Sequence, residues 1–343
     1  MGADGAAERY ARQVVFAPIG EDGQAKLLRA RVVVVGLGAL GSVSASQLAR
    51  AGVGYIRCVD RDIVEWTNLQ RQTLYDEQDA HLGVAKAEAA AAKLRQFNSD
   101  IVVESSVTDL SSQNAEALLT DVDLIVDGTD NAQIRQLIND VAVKHGIAWA
   151  YGGAVSSYGV AGLIRPGETP CLACLFGAQA ERDHDTCDTV GVIGPITGVI
   201  ASLQVAEALK YLSGRTDALR DGLVYVDLWH NEWRNMRFGN PQPECPTCGK
   251  RSFAALDAPS DALTVTFCGR RTIQLRPQAQ TQLSLEHLAK RLRPLGTVRQ
   301  TDSLLRFERG EHILTVFADG RALVHGVDDV AQARSFYTRY VGM

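Results

Sequence analysis

The sequence has no basic run, no long apolar run and few aromatic residues, and each shortage removes a class of function. Its 35 lysines and arginines stand against 40 aspartates and glutamates, a net charge of −5. That balance carries no electrostatic footprint for nucleic acid, although a local basic pocket for a small anion remains compatible with it. The opening stretch MGADGAAERY lacks the apolar core of a secretory signal. Gly2 would suit myristoylation, but Ala6 stands where that signal has serine or threonine. The most apolar long window, 192–209, carries Pro195, Gln204 and Glu207 and reads as a buried helix, so no segment is expected to span a membrane. Seven cysteines form an odd set without an export signal. They point to free thiols and metal thiolates rather than disulfides, and to a cytoplasmic protein. Internal repeats and low-complexity tracts are also missing. What is left, 343 residues with 46% hydrophobic and 22% charged, is the composition of a globular protein. At about 150 residues per domain it has room for roughly two.

The run 31–35, RVVVV, reads as a strand buried on both faces. It passes through a glycine-rich turn into a helical pattern over 43–51, and a second strand, 55–59, ends at Asp60. Strand-like 101–107, 123–126 and 147–151 alternate with helical 114–119 and 134–144, which predicts an α/β, doubly wound, mostly parallel Rossmann-like sheet. Strands at 159–164 and 223–227 extend it, with a long helix at 195–212 between them. The Pro-, Cys- and Gly-rich stretch 240–250 reads as a boundary. The expected division is therefore a doubly wound α/β domain over 1–250, a linker over 251–261 and a small α+β domain over 262–343. In the last, strands are expected at 263–267, 272–275, 303–309, 312–317 and 322–325, with helices at 284–292 and 330–340.

Gly36, Gly38 and Gly41 form G-x-G-x-x-G after a strand and at the start of a helix, where close backbone approach and orphan N–H groups suit a phosphate. Asp60 closes the next strand, where a carboxylate can accept from ribose hydroxyls. These residues alone do not separate a nicotinamide dinucleotide from ATP. The loop 60–72 then supplies Asp60, Asp62, Asn68, Arg71 and Gln72, Lys86 follows, and Gly128-Thr129-Asp130-Asn131 closes a later strand. Two cations beside a spare acid have no use in hydride transfer. They suit a triphosphate, with Asp130 able to hold Mg²⁺ through oxygen.

With these pieces on the page the chain resembles the E1-like activating enzymes, the family of ThiF, MoeB and HesA-type proteins. The matching residues are Arg9-Tyr10-Ala11-Arg12-Gln13, GLGALGS from Gly36 to Ser42, Asp60-x-Asp62, Asn68-Leu69-Gln70-Arg71-Gln72, Lys86 and Thr129-Asp130-Asn131. The resemblance covers about 8–250, and its one small departure is Ala39, where many relatives carry a further glycine. It implies ATP-dependent adenylation of the C-terminal Gly-Gly carboxylate of a small ubiquitin-like sulfur carrier, with release of pyrophosphate. It further implies that Gly36, Gly38 and Gly41 border the phosphates and that Asp60, Asp62 and Gln72 help bind the nucleotide. Asn68, Arg71 and Lys86 would contact the triphosphate, and Asp130 the Mg²⁺. Arg12 matches an arginine that reaches into the active site of a second subunit, so a homodimer is expected. A sulfur donor protein is a further possible partner. Two alternatives stay open: an E1-like activator that passes the acyl group to Cys187 as a thioester, and an NAD-dependent oxidoreductase.

Cys171-x-x-Cys174 and Cys245-x-x-Cys248 are two knuckles far apart in sequence. Brought together, four thiolates make a closed tetrahedral Zn²⁺ site of structural type, and the family joins them. Cys187 lies in the polar loop 182–189, at the position of the reactive cysteine of the family, where a thioester, persulfide or acyl disulfide could form. Cys58 and Cys268 are expected to be packing residues. The small C-terminal domain carries no catalytic motif, and recruitment of a partner or support of a dimer are the two roles open to it.

Overall fold

The computed structural model describes residues 8–177, 190–258, 265–267, 272–275, 283–327 and 329–342. The chain divides into two compact units, 1–77 with 86–259, and 78–85 with 260–343.

The larger unit is built on one eight-stranded sheet. Its strands are β1 (Arg31–Val35), β2 (Tyr55–Asp60), β3 (Val102–Val107), β4 (Leu124–Asp127), β5 (Ala148–Val155), β6 (Tyr158–Ile164), β7 (Gly222–Asp227) and β8 (Glu232–Arg237). They lie in the order β3-β2-β1-β4-β5-β6-β7-β8. From β3 to β5 every pairing is parallel, and from β5 to β8 every pairing is antiparallel. The sheet is therefore mixed, and the expectation of a mostly parallel one holds only for its β3–β5 half. The reason is local: Ser156 and Ser157 turn β5 straight back into β6, which a parallel crossover cannot do. Strand β8 was not foreseen. Its sequence EWRNMR has no alternation of apolar and polar residues, and it forms an exposed edge whose charges discourage further pairing.

Strands β1 (RVVVV) and β4 (LIVD), at the centre of the parallel half, are nearly continuous Val, Ile and Leu because helices cover both faces. On one face the helices Ala115–Leu119 and Ala132–His145 pack with Val33, Ile125, Trp149 and Ile164. On the other, Leu40 of the helix Ala39–Ala51 meets Ile196 and Ile200 of the helix Gly194–Leu212, together with Ala161, Val224 and Val226. Among the described residues no helix is long and apolar enough to cross a membrane.

The smaller unit has a six-stranded sheet made of β9 (Val265–Phe267), β10 (Thr272–Leu275), β11 (Thr297–Gln300), β12 (Leu304–Arg309), β13 (His312–Phe317) and β14 (Ala322–His325). The order is β11-β12-β13-β14-β10-β9, antiparallel at every step. Its core sets Leu285, Leu288 and Leu292 of the helix Leu285–Leu292, and Ala333 and Tyr340 of the helix Val330–Tyr340, against Leu305, Phe307, Leu314, Val316 and Val324. Both helices begin at side-chain caps: Ser284 accepts from His287 N and Asp329 from Gln332 N. Strand β11 is the element that the sequence pattern did not announce.

Candidate nucleotide site and cysteine cluster

Strand order reverses its direction between β1 and β4, and in open α/β sheets the crevice beyond the carboxyl ends at that place is where ligands bind. The two turns that line it are both glycine. Gly36, after β1, has φ +79°, and a Cβ there would lie 2.9 Å from the Gly128 carbonyl. A Cβ on Gly41 would lie 1.8 Å from Gly36 O, and one on Gly128 2.3 Å from the same atom. These three glycines are thus required by the protein's own backbone. Gly38 differs. It stands at the N-cap of the helix Ala39–Ala51, and the nearest atom to a Cβ there is Gln72 Nε2 at 3.8 Å. The open side of Gly38 lies over the orphan N–H groups of the helix start, an arrangement that can receive an anion.

Asp60, at the end of β2, braces this turn. Its Oδ2 accepts from Leu37 N (2.6 Å) and its Oδ1 from Asp62 N (2.7 Å). Burial pushes its carboxyl above the usual range, opposed by the Lys86 ammonium. Lys86 starts the helix Lys86–Phe97, is itself buried, and its Nζ lies 3.3 Å from Asp62 Oδ2. Burial favours its neutral form, yet Asp62, Asp60 and Asp130 together outweigh that and hold its pKa above the ordinary lysine value. Asp130 thus lies close enough to Lys86 to act on its charge. Tyr75 ties the segments, its hydroxyl lying 2.9 Å from Leu37 O and 3.3 Å from Lys86 O.

The loop 65–72 is a scaffold first. Asn68 Oδ1 accepts from Glu65 N (3.0 Å) while the Glu65 side chain caps the backbone of Asn68, closing a reciprocal box around the turn Trp66–Asn68. Gln72 is buried with its Oε1 unpartnered and its Nε2 turned toward Gly38. Arg71 donates to Thr67 O (2.8 Å), and its backbone lies near Gly194 at the start of the helix Gly194–Leu212. Arg12 is exposed on the helix Ala11–Val14, whose neighbour Gln13 donates to Ala51 O (2.9 Å). Ala51 ends the 13-residue helix that begins beside Gly38. At about 1.5 Å per residue Arg12 sits roughly 20 Å from the phosphate turn of its own chain.

The four knuckle cysteines come together, although 74 residues separate Cys171 from Cys245. All four Sγ atoms lie within 4.8 Å of one another. Cys171–Cys174 is 3.9 Å, Cys171–Cys245 3.6 Å and Cys174–Cys248 3.3 Å. Tetrahedral Zn²⁺ with Zn–S of about 2.3 Å requires S···S edges of about 3.8 Å, so the set could hold such an ion with no position left open. Asn139 Oδ1 accepts from Leu172 N (2.8 Å) and fixes the first knuckle. Cys58 is fully buried in β2 with its thiol pushed up to about 12, as a packing residue should be. Cys187 and Cys268 lie outside the described residues.

The ThiF family model matches residues 10–247. The chain is 43% identical over 336 residues to the sulfur carrier protein ThiS adenylyltransferase of Bacillus subtilis (strain 168), covering 97% of this chain and 99% of that one. It is 36% identical over 244 residues to the SAMP-activating enzyme E1 of Haloferax volcanii, covering 71% and 89%. A crystal structure of E. coli MccB with ATP superimposes with a TM-score of 0.60 at 25% identity, over 70% of this chain and 74% of that one.

The chain belongs to the ThiF family.

This ThiF domain also contains a buried polar set that motif reasoning passed over. Asp127, the last residue of β4, has no exposed side-chain area and pairs with Arg135 through Nε···Oδ2 at 3.0 Å. Gln204 donates from the facing helix to Asp127 O (2.8 Å) and Ala150 O (3.0 Å), and it fills the place that a Cβ on Gly152 would take. The only signal in the sequence was a charged residue closing a buried strand, as Asp60 does. The Gly turn yields the first test. Gly41→Ala should cost about 1–3 kcal/mol or more in denaturant unfolding. Gly38→Ala should leave the unfolding midpoint in place and weaken ATP binding by about the same energy, roughly 5- to 150-fold by calorimetry. Equal stability loss in both variants would contradict the assignment of Gly38 to ligand rather than backbone.

Proposed function

We propose that this ThiF-family protein is the adenylyltransferase of a ubiquitin-like sulfur carrier, using ATP to activate the carrier's C-terminal Gly-Gly carboxylate. The observation that carries the reading is the buried Lys86, held charged by Asp60, Asp62 and Asp130 at the mouth of a glycine turn with one open side. Identity to the Bacillus adenylyltransferase runs through 97% of the chain, so the smaller unit belongs to the shared protein. A nicotinamide enzyme would leave Lys86 and Asp130 without a task.

The chemistry asks for what this cleft has. A carboxylate oxygen of the carrier attacks the α-phosphorus, the α–β anhydride bond breaks, and pyrophosphate leaves with the electron pair. Nucleophile and phosphate repel one another, so catalysis is positioning and electrostatics. In this reading the helix start at Gly38 receives phosphate oxygens, Lys86 exchanges part of its pairing with Asp62 for the phosphates, and Asp60 accepts from the ribose. Gln72, beside Gly38, donates from Nε2, and Asn68 holds the loop that presents Arg71. Asp130 would hold Mg²⁺, which supplies further neutralisation when bound; one or two carboxylates suffice because that ion keeps waters and substrate oxygens as ligands.

Arg12 cannot serve its own site from roughly 20 Å away, and Val15 and Phe16 beside it are 79% and 59% exposed. Both facts support a homodimer in which Arg12 completes the partner's site. Cys187 is proposed as the acceptor of the activated acyl group on the way to a thiocarboxylate, with a sulfur donor protein as further partner. The four-cysteine cluster is proposed as structural Zn²⁺.

Three experiments test these roles. ATP–pyrophosphate exchange should require a Gly-Gly-ended carrier and fall about 10³-fold or more in Arg71→Ala and Arg12→Ala. Cys187→Ala should retain exchange and lose any covalent carrier adduct by intact mass. Exchange without carrier, or an adduct that survives in Cys187→Ala, would contradict these roles. Elemental analysis should find one zinc per chain, and Cys245→Ser should lose both the metal and several degrees of melting temperature. A metal-free protein of unchanged stability would remove the zinc.

A further inference from the structure

The turn 128–130 carries the acid assigned to magnesium, and the residues around it are pinned from two sides. Gly128 N donates to Val35 O (2.8 Å), and the glycine rests on Gly36 O with no room for a side chain. From the other side Arg135 spreads its fork over three acceptors: Nε to Asp127 Oδ2 (3.0 Å), Nη2 to Thr129 O (2.7 Å) and Nη2 to Gly152 O (2.8 Å). Asp127 Oδ1 in turn accepts from Thr129 N (2.9 Å) and Thr129 Oγ1 (2.8 Å). Asn131 caps the helix Ala132–His145 by accepting from Gln133 N and Ile134 N. Every neighbour of Asp130 is thus fixed, while Asp130 itself is exposed and acts electrostatically on both Lys86 and Arg135.

We propose that Arg135, through Asp127 and Thr129, is a positioning residue that sets where Asp130 presents its carboxylate to the metal–nucleotide. The inference rests on the reading of Asp130 given above. Mg²⁺ demands near-octahedral geometry at about 2.0–2.1 Å, so a turn free to wander costs affinity even though its acid is intact. Arginine is needed because only a planar fork reaches at once a buried carboxylate, a carbonyl of the turn after β4 and a carbonyl of β5. Lysine keeps the charge beside Asp127 and loses that reach. Nothing in the chain requires Arg135 to touch substrate.

The test is the magnesium dependence of carrier-stimulated ATP–pyrophosphate exchange at fixed ATP and saturating carrier. Arg135→Lys should raise the half-saturating Mg²⁺ about tenfold, the usual effect of losing a residue that orients a ligand. The rate should return toward wild type at high Mg²⁺. Thr129→Val, which removes one hydroxyl bond to Asp127 and is the gentler change, should shift it in the same direction by less. In an Asp130→Asn background Arg135→Lys should add no further shift, because its effect runs through that carboxylate. A uniform loss of rate at every Mg²⁺ concentration, or shifts that add in the double variant, would overturn the positioning role. Asp130→Asn without any shift of its own would overturn the magnesium reading instead.

Discussion

A backbone contact that no side chain permits underlies the site. Gly36 O lies so near Gly41 and Gly128 that a methyl group on either would overlap it. That contact draws the turns after β1 and β4 together at the one place where the strand order reverses. The helix Ala39–Ala51 consequently starts against the sheet with its orphan N–H groups facing the crevice, and the Asp130 turn is set beside it. Without it the two ends of the cleft, at Gly38 and at Asp130, would have no fixed spacing.

Charge is then placed into this frame. A buried ammonium is costly unless paired, and Lys86 is paired through Asp62 with two further carboxylates in its field. The arrangement is poised rather than quenched. A lysine among acids can turn to an incoming polyphosphate, and the acids it leaves can meet ribose hydroxyls or a divalent cation. The same logic explains why Arg135, itself half-buried, is set against the fully buried Asp127 a turn away. Arg135 holds backbone, and in the proposed reading Lys86 is kept for the ligand. In a reaction between two anions that division is the useful one, since the enzyme's task is to supply fixed positive potential and hold geometry.

The parts of this design visible in sequence were those carried by local spacing. The glycines at 36, 38 and 41, the acid closing β2 and the paired C-x-x-C knuckles each follow from contacts within a few residues, or from a ligand set of known chemistry. Strands such as 312–317 and 322–325 were legible because β-branched runs ended at turn residues. The missed features depend on chain segments meeting. Arg135 looks like any polar residue on an amphipathic helix until β4 and β5 place Asp127 and Gly152 beneath it, and Gln204 lies far along the chain from the carbonyls it bridges. Strand β8 is charged on both faces because it is an edge, so periodicity had nothing to register. Arg71 is expected to contact a triphosphate together with Lys86, and in the structure its guanidinium donates to Thr67 O, as an arginine satisfies itself on a nearby carbonyl.

The measurement that bears most directly on this account is a crystal structure with a non-hydrolysable ATP analogue and Mg²⁺. The triphosphate should lie on the open side of Gly38, with Lys86 Nζ turned from Asp62 toward a phosphate oxygen and the ribose hydroxyls on Asp60. A nucleotide bound elsewhere, or bound there with Lys86 still seated on Asp62 and the phosphates in solvent, would contradict it.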